Sequence, residues 1–189
     1  PMIEAILRAD ERLRVLVVDD DSPDGTAAIV QEMARDNARV SVLVRRERRG
    51  RGYAGVEGFR RCLDMGGDPI VEMDADFSHD PAYLPAMLAE SERYDVVTGS
   101  RGVEGGGESG RGLGRRLITR GAWMYLRLVL GVWRVKDPTS GYRCFRRRVL
   151  EAIRLDTLKS PGPSIVTEVL FRCRKLRIKE VPIRFKDRE

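Results

Sequence analysis

Short apolar runs alternate with amphipathic segments along the first hundred residues. Four runs have the length and composition of buried strands: 13–18, 40–44, 70–74 and 95–98. Four segments beside them space their apolar residues as helices do: 2–10, 26–36, 53–65 and the residues from 81 onward. In the second of these helices we expect Ile29, Val30 and Met33 to face the core. The alternation predicts an α/β domain with a mostly parallel sheet flanked by helices.

The pattern changes after residue 101. The glycine-rich segment at 102–114 predicts either a mobile lid over a binding site or a plain surface linker. The alternation at 178–185, which includes Pro182, predicts a half-exposed edge strand. Three further helices are predicted: 115–131, 146–153 and 164–176.

The predicted helix at 115–131 is apolar around most of its circumference. Trp123 and Tyr125 stand near its middle, and arginines recur along it. A helix of this composition either lies in a membrane interface or packs on the sheet or on a partner subunit. The sequence leaves both interpretations open.

Charged side chains follow the ends of three predicted strands. Asp19 and Asp20 follow the first strand, Asp74 and Asp76 the third, and Arg101 the fourth. Because connections between parallel strands are almost always right-handed, the carboxyl ends of these strands share one edge, where ligands of such sheets bind. We therefore expect these five side chains to face one crevice.

The residue types in this crevice suit a nucleotide sugar. Asp74 and Asp76 would repel each other without a cation, and Mg²⁺ or Mn²⁺ carrying a diphosphate would satisfy both. Asp19 and Asp20 would accept hydrogen bonds from a base or a ribose. A phosphate of the donor or acceptor would pair with Arg101.

Other catalytic signatures are absent from the sequence. It contains no G-x-S-x-G, no P-loop motif, and no G-x-G-x-x-G after the first strand. The single histidine, His79, is either a general base or the cap of the helix that begins at Pro81. An acceptor that is itself a phosphate would need no strong base, because its oxygens are already anionic near pH 7.

Composition narrows the class of protein. A chain of 189 residues is expected to form a single domain over 1–189. The net charge of +6 is either a solvated basic surface or a sign of anionic partners such as nucleotide phosphates, lipid phosphates or an acidic membrane. A nucleic-acid partner is disfavoured, because aromatic residues are 6% of the chain and acids crowd the expected binding edge.

The three cysteines, Cys62, Cys144 and Cys173, are expected to be reduced thiols in the core. No apolar run in the sequence has the length of a membrane span.

Two longer motifs resemble those of the polyprenol (dolichol) phosphate mannose synthases, which are family 2 glycosyltransferases of GT-A fold. Residues 15–26, V-L-V-V-D-D-D-S-P-D-G-T, are similar to the family's V-V-D-D-x-S-P-D-G-T. Residues 73–81, M-D-A-D-F-S-H-D-P, are similar to its M-D-A-D-x-S-H-x-P. Shorter blocks at 99–101, 137–143 and 180–185 resemble later family motifs in the same order.

This resemblance implies a GT-A, Rossmann-like fold and a metal-assisted, inverting transfer of mannose from GDP-mannose to a polyprenyl or dolichyl phosphate. It also implies a peripheral location at the cytosolic face of a membrane. By position, Asp74 and Asp76 become ligands of Mg²⁺ or Mn²⁺ and of the nucleotide sugar, beside Asp19 and Asp20. Asp76 and Arg101 take the catalytic roles. The acceptor phosphate is assigned to three arginines: Arg101, Arg115 and Arg116.

Some features depart from the family pattern. The family's first strand, which ends in P-x-Y-N-E, has no counterpart in this sequence, and Gly102 replaces the usual aromatic residue. Some members carry membrane helices after the catalytic domain, so a membrane-anchoring domain or subunit stays open. Two alternatives also stay open: transfer of glucose or another hexose from a UDP-sugar to a lipid phosphate, and a non-catalytic subunit that binds the nucleotide sugar.

Overall fold

The structure is a computed structural model that describes residues 1–109 and 113–186, without the side chains of Leu113, Arg115 and Arg116. The α-helices in this part of the chain are α1 Met2–Ala9, α2 Thr26–Asp36, α3 Arg51–Asp64, α4 Leu84–Ser91, α5 Leu113–Leu130, α6 Arg147–Ala152 and α7 Ile165–Cys173. The strands are β1 Val15–Asp19, β2 Val40–Val44, β3 Ile70–Glu72, β4 Val96–Ser100, β5 Gly107–Ser109, β6 Arg143–Phe145, β7 Ile178–Pro182 and β8 Arg184–Lys186.

The strands form one four-stranded sheet and two strand pairs. In the four-stranded sheet the order is β3-β6-β4-β7, with β4 parallel to β7 and β6 antiparallel to both of its neighbours. The pairs β1-β2 and β5-β8 are each parallel. The predicted α/β class with largely parallel pairing is therefore confirmed. Strand β6 was not predicted, because three residues are too few to show a period of two.

The four-stranded sheet is buried on both faces. Val96 of β4 and Phe145 of β6 belong to a core cluster under α3, α6 and α7. Their neighbours in the same strands, Val97 and Cys144, belong to a second cluster under α4. Successive side chains of a strand point to opposite faces, so these two short strands supply both halves of the core. Each large apolar side chain buried in this way contributes about 1.5–3 kcal/mol.

Helix α3 links the β1-β2 pair with the four-stranded sheet. It packs against both β1 and β3, and its Phe59 meets Phe145 edge to face with ring centroids 5.4 Å apart. Helix α2 covers the β1-β2 pair through Val30 and Met33. Ile29 does not face the core as predicted, since it is 61% exposed. Successive side chains of an α-helix point about 100° apart, so Ile29 points away from the core when its neighbour Val30 points into it.

Part of the glycine-rich segment is a strand. Gly107–Ser109 forms β5 and pairs with β8, so the prediction of a lid or linker over the whole of 102–114 is wrong for these residues. Gly110, Arg111 and Gly112 lie outside the described residues. The predicted edge strand at 178–185 is two strands, β7 and β8, and within the described residues β7 lies at an edge of its sheet.

The cysteines are free thiols, as predicted. Burial raises the pKa of Cys144 to about 12 and that of Cys173 to about 11, so both stay protonated near neutral pH. Within 1–109 and 113–186, no helix combines the length and apolar character needed to cross a bilayer.

Candidate active site

The turn after β1 is tied to the beginning of α3. Asp20 accepts a hydrogen bond from the backbone N–H of Gly50 at 2.7 Å and another from the buried guanidinium of Arg45. Gly50 has a φ of 128°, a conformation that glycine adopts at little cost. Asp19 is buried, and its Oδ1 accepts from the Ser22 N–H at 2.8 Å. Hydrogen bonds therefore hold both acids in fixed positions within this turn.

The predicted contact of Asp19 and Asp20 with a base or ribose stays a prediction. The Asp20 side chain is 28% exposed and accessible to a ligand, whereas Asp19 is nearly covered. If either acid binds the nucleotide, it does so from a position already fixed by hydrogen bonds within the turn.

Asp74 and Asp76 lie in the turn that follows β3, as the sequence predicts. The strand ends at Glu72, and Phe77 takes a left-handed φ of 60°. The Oδ1 atom of Asp76 accepts from the N–H of Ser78 at 3.0 Å and from its hydroxyl at 2.5 Å. Hydrogen bonds inside the turn therefore hold the second carboxylate of the pair in place.

His79 positions the first of these acids. Its Nδ1 accepts the backbone N–H of Asp74 at 2.9 Å, and its ring stacks on Tyr142 with centroids 5.0 Å apart. Burial lowers the pKa of His79, with Asp74 acting in the opposite direction, so the ring is neutral near pH 7. The predicted capping role is wrong, because Asp80 caps the 3-10 turn by accepting from the Ala82 N–H at 2.9 Å.

A basic residue that sequence reasoning missed reaches the same turn. Arg51 is the first residue of α3, and its Nη2 lies 3.1 Å from Oδ1 of Asp74. The signal for it in the sequence is weak and consists of a basic loop with glycines at 45–52. Its contact with Asp74 depends on how α3 packs against β1 and β3.

The residues of this turn fit a divalent cation carried by a diphosphate. No group of three or more His, Cys, Asp or Glu side chains with metal-binding geometry occurs in the part of the chain described. Two carboxylates would supply hard oxygen ligands and leave the remaining positions to phosphate and water, which is how Mg²⁺ is commonly bound with a nucleotide. The donor set offers no thiolate, as a structural zinc site often would.

Arg101 follows β4 and is enclosed by acids. Its Nε and Nη2 bind Asp137 at 2.7 and 2.9 Å, and its Nη1 binds Glu108 at 2.8 Å. Burial alone would lower the pKa of Arg101, but Asp137 and Glu108 outweigh it and raise the pKa. With both carboxylates ionised this trio has a net charge of −1. The catalytic and phosphate-binding roles of Arg101 stay predictions, and its observed hydrogen-bond partners are Asp137, Glu108 and the Thr139 hydroxyl.

A cavity of about 1070 Å³ opens beside Arg101, between β5 and α5. Four further basic side chains, which sequence reasoning missed, line it: Arg120, Arg127, Lys136 and Arg184. Arg120 and Arg127 share α5, whereas Lys136 and Arg184 come from later parts of the chain, so no single sequence pattern joins the four. Arg115 and Arg116, predicted to bind the acceptor phosphate, belong to the same helix, but their side chains lie outside the described residues.

Helix α5 has one packed side and one exposed side. On the packed side, Trp123 donates to the Thr139 hydroxyl at 2.8 Å, and the Arg101 guanidinium lies 5.2 Å from its ring centroid. At 100° per residue, the exposed apolar residues share an arc of about 140°. They are Leu117, Ile118, Met124, Tyr125, Leu128 and Val129.

Comparison with known proteins identifies the family. A sequence profile described as glycosyl transferase family 2 matches residues 1–154. The chain belongs to this family. It is 43% identical over 177 residues to the undecaprenyl-phosphate mannosyltransferase of Micrococcus luteus, covering 93% of this chain and 72% of that protein. It is 38% identical over 192 residues to the polyprenol monophosphomannose synthase of Mycolicibacterium smegmatis, covering 100% and 72%.

More distant relatives agree with this assignment. The dolichol-phosphate mannosyltransferase of Pyrococcus furiosus is 36% identical over 173 residues, which are 90% of this chain and 47% of that enzyme. Among solved structures, glucosyl-3-phosphoglycerate synthase of Mycobacterium tuberculosis aligns over 100% of this chain and 68% of its own, with a TM-score of 0.65 and 21% identity. That enzyme was crystallised with Mn²⁺, UDP-glucose and phosphoglyceric acid. At this identity the likeness concerns the fold, and it confirms the predicted GT-A class.

Proposed function

We propose that this chain transfers mannose from GDP-mannose to the phosphate of a polyprenyl or dolichyl lipid, with inversion at the sugar. The observation that carries the proposal is the 43% identity, over 93% of this chain, to an undecaprenyl-phosphate mannosyltransferase. The site chemistry supports it, since Asp74 and Asp76 follow a strand end where a diphosphate and its cation would bind.

The transfer would be a single displacement. An oxygen of the acceptor phosphate attacks the anomeric carbon of mannose, and the bond from that carbon to the diphosphate oxygen breaks with its electrons going to GDP. Asp74 and Asp76 would hold Mg²⁺ or Mn²⁺, which when bound stabilises the negative charge on the departing diphosphate. The acceptor oxygen is already anionic, so the reaction needs no strong base, which agrees with a buried His79 whose Nδ1 is engaged.

A lipid acceptor also suggests a location. The six exposed apolar residues of α5, from Leu117 to Val129, form an apolar stripe. We propose that this stripe lies on the cytosolic face of a membrane, with the chain bound peripherally. The stripe exposes six large apolar side chains, and Arg120 and Arg127 on the same helix line the neighbouring cavity. An apolar face beside basic residues suits a bilayer surface that carries phosphate groups.

A substrate panel tests the proposed reaction. The donors are radiolabelled GDP-mannose, UDP-glucose and UDP-N-acetylglucosamine. The acceptors are a short polyprenyl phosphate, the same polyprenol without phosphate, and a free saccharide. We expect labelled lipid only from GDP-mannose with the polyprenyl phosphate. Use of UDP-glucose instead would support the alternative donor. Donor binding without any product would support a non-catalytic nucleotide-sugar-binding subunit.

A further inference from the structure

We propose that Arg51 is a diphosphate-binding residue that Asp74 holds in place until a divalent cation takes over that carboxylate. The bound species would be a nucleoside diphosphate with its cation. This inference rests on the proposed function only in the choice of that ligand, and it concerns binding, not transfer.

The contact between the two side chains is specific. The Nη2 atom of Arg51 lies 3.1 Å from Oδ1 of Asp74, and both side chains are about one third exposed. Arg51 is therefore accessible to a ligand from solvent. An arginine presents a flat fork of N–H donors that matches two phosphate oxygens as well as it matches a carboxylate.

The backbone around Arg51 is fixed, whereas its side chain is about one third exposed and packs closely against Gly141. Gly50 is held by Asp20, and the Gly52 N–H donates to the carbonyl of Pro161 at 2.9 Å. A Cβ added to Gly141 would lie 2.4 Å from Nη2 of Arg51, so a residue without a side chain borders the guanidinium. The guanidinium can thus change partners without any movement of α3.

A divalent cation and the Arg51 guanidinium compete for the Asp74 carboxylate, because their positive charges repel each other. A divalent ion held by Asp74 would compete with Arg51 for the carboxylate oxygen that now faces the guanidinium. The guanidinium would then be repelled from that oxygen, and the closest new anion would be the diphosphate on the same ion. Binding of the cation with its nucleotide would release Arg51 from Asp74 to the phosphates.

Affinity measurements on four proteins test this exchange: the unmodified chain, Arg51→Leu, Arg51→Lys, and Arg60→Leu as a control on the exposed side of the same helix. Mn²⁺ binding alone is followed by electron paramagnetic resonance. GDP binding at saturating Mn²⁺ is followed by calorimetry, and circular dichroism checks the fold. We expect Arg51→Leu to bind Mn²⁺ several-fold more tightly and GDP about tenfold more weakly. Arg51→Lys should keep the Mn²⁺ affinity and lose part of the GDP affinity, and Arg60→Leu should change neither.

The opposing changes are the signature of the exchange. If Arg51→Leu leaves either affinity unchanged, or weakens both, the inference is wrong. Because neither measurement uses mannose or a lipid, its outcome is independent of the proposed reaction. A chain that shows the opposing changes yet makes no mannosyl lipid would keep this inference and refute the proposed function.

Discussion

Arg101 lies between two carboxylates, and its removal should cost stability. The Asp137 side chain is fully buried and that of Glu108 nearly so. In Arg101→Gln both acids would lose their cation, and we expect the free energy of unfolding to fall by about 3–5 kcal/mol. Urea denaturation followed by circular dichroism measures the change.

A double variant tests whether the loss of stability comes from the buried charge that Arg101→Gln leaves uncompensated. Replacing both partners, Arg101→Gln with Asp137→Asn, removes the most buried uncompensated charge and should recover at least about 1 kcal/mol of the loss. A cost below about 1 kcal/mol for Arg101→Gln alone would show that the pairs contribute little. Arg101 would then be better explained as a ligand-binding residue.

Asp95, just before β4, should make stability depend on pH. Burial alone would raise its pKa, but hydrogen bonds from Arg177 and Arg148 outweigh it and lower the pKa to about 2. A carboxylate with a lowered pKa in the folded state stabilises the protein above its unfolded pKa, near 4, and loses that effect as the pH falls toward 2. Asp95→Asn should therefore cost about 1–2 kcal/mol at pH 7, and progressively less between pH 5 and pH 3.

The control for this prediction is an exposed acid. Asp156 is 65% exposed and lies 4.0 Å from Arg154, so Asp156→Asn should change stability by less than about 0.5 kcal/mol at either pH. A loss of stability in Asp95→Asn that is the same at pH 7 and pH 3 would contradict the lowered pKa of Asp95 as its cause.

At the scale of single residues, the sequence predicts the position of side chains at strand ends better than contacts that depend on packing. Asp74 and Asp76 were predictable because the end of an apolar run locates them. Arg51 was not, because its contact requires α3 to lie beside the turn after β3. The ion pairs of Arg101 join residues 7 and 36 positions away, distances at which no local pattern operates.

Among the helices, α3 begins where another loop passes very close. A Cβ on Gly52 would lie 1.9 Å from the carbonyl oxygen of Ser160. That loop is itself held, because the Glu168 carboxylate accepts the N–H groups of Lys159 and Ser160. We expect Gly52→Ala to lower the free energy of unfolding by about 2–4 kcal/mol, measured by urea denaturation.

Another helical glycine provides the matched control. Gly121 in α5 has no atom within 4 Å of an added Cβ, so Gly121→Ala should be neutral or stabilising by up to ~1 kcal/mol. Equal effects of the two substitutions would mean that the loop at 159–161 moves freely away from α3.

The exposed side of α5 predicts a fluorescence response to membranes. Trp133, three residues beyond the helix, is 55% exposed, whereas Trp123 is engaged with Thr139. In a Trp123→Phe background, Trp133 is the single tryptophan, and its emission should shift to shorter wavelength with anionic vesicles. Leu128→Glu in the stripe should weaken the shift. The control Leu176→Glu, at an exposed leucine after α7, should not. An unchanged emission spectrum would argue that the stripe meets a protein surface instead.

Among secondary-structure elements, the long periodic segments were predictable, whereas two of the three-residue strands were not. Helices α2 and α5 lie close to where the apolar spacing places them. The three-residue strands β5 and β6 escaped prediction, since one was hidden among glycines and the other followed a polar turn. Both are defined by their partners β8, β3 and β4, and not by their own residues.

For the whole molecule, the two aspartate turns come together at the start of α3, although β1 and β3 belong to two different sheets and not to the single sheet that the sequence predicts. Gly50 and Arg51, at the start of α3, contact Asp20 after β1 and Asp74 after β3, respectively. The α/β alternation predicted that the two turns lie close together, because strand order and handedness bring carboxyl ends together. The basic cavity beside α5 was not predictable, because it gathers residues from separate parts of the chain.

One transfer assay tests most directly whether Asp74 and Asp76 serve a metal-dependent transfer. Radiolabelled mannose transfer from GDP-mannose to a short polyprenyl phosphate is measured for the unmodified chain and for Asp76→Asn, in EDTA and across a Mn²⁺ titration. We expect metal-dependent product from the unmodified chain and at least a hundredfold loss, on the order of 3 kcal/mol, in Asp76→Asn with an unchanged circular dichroism spectrum. Equal transfer by the two proteins at every Mn²⁺ concentration would contradict the role assigned to Asp74 and Asp76.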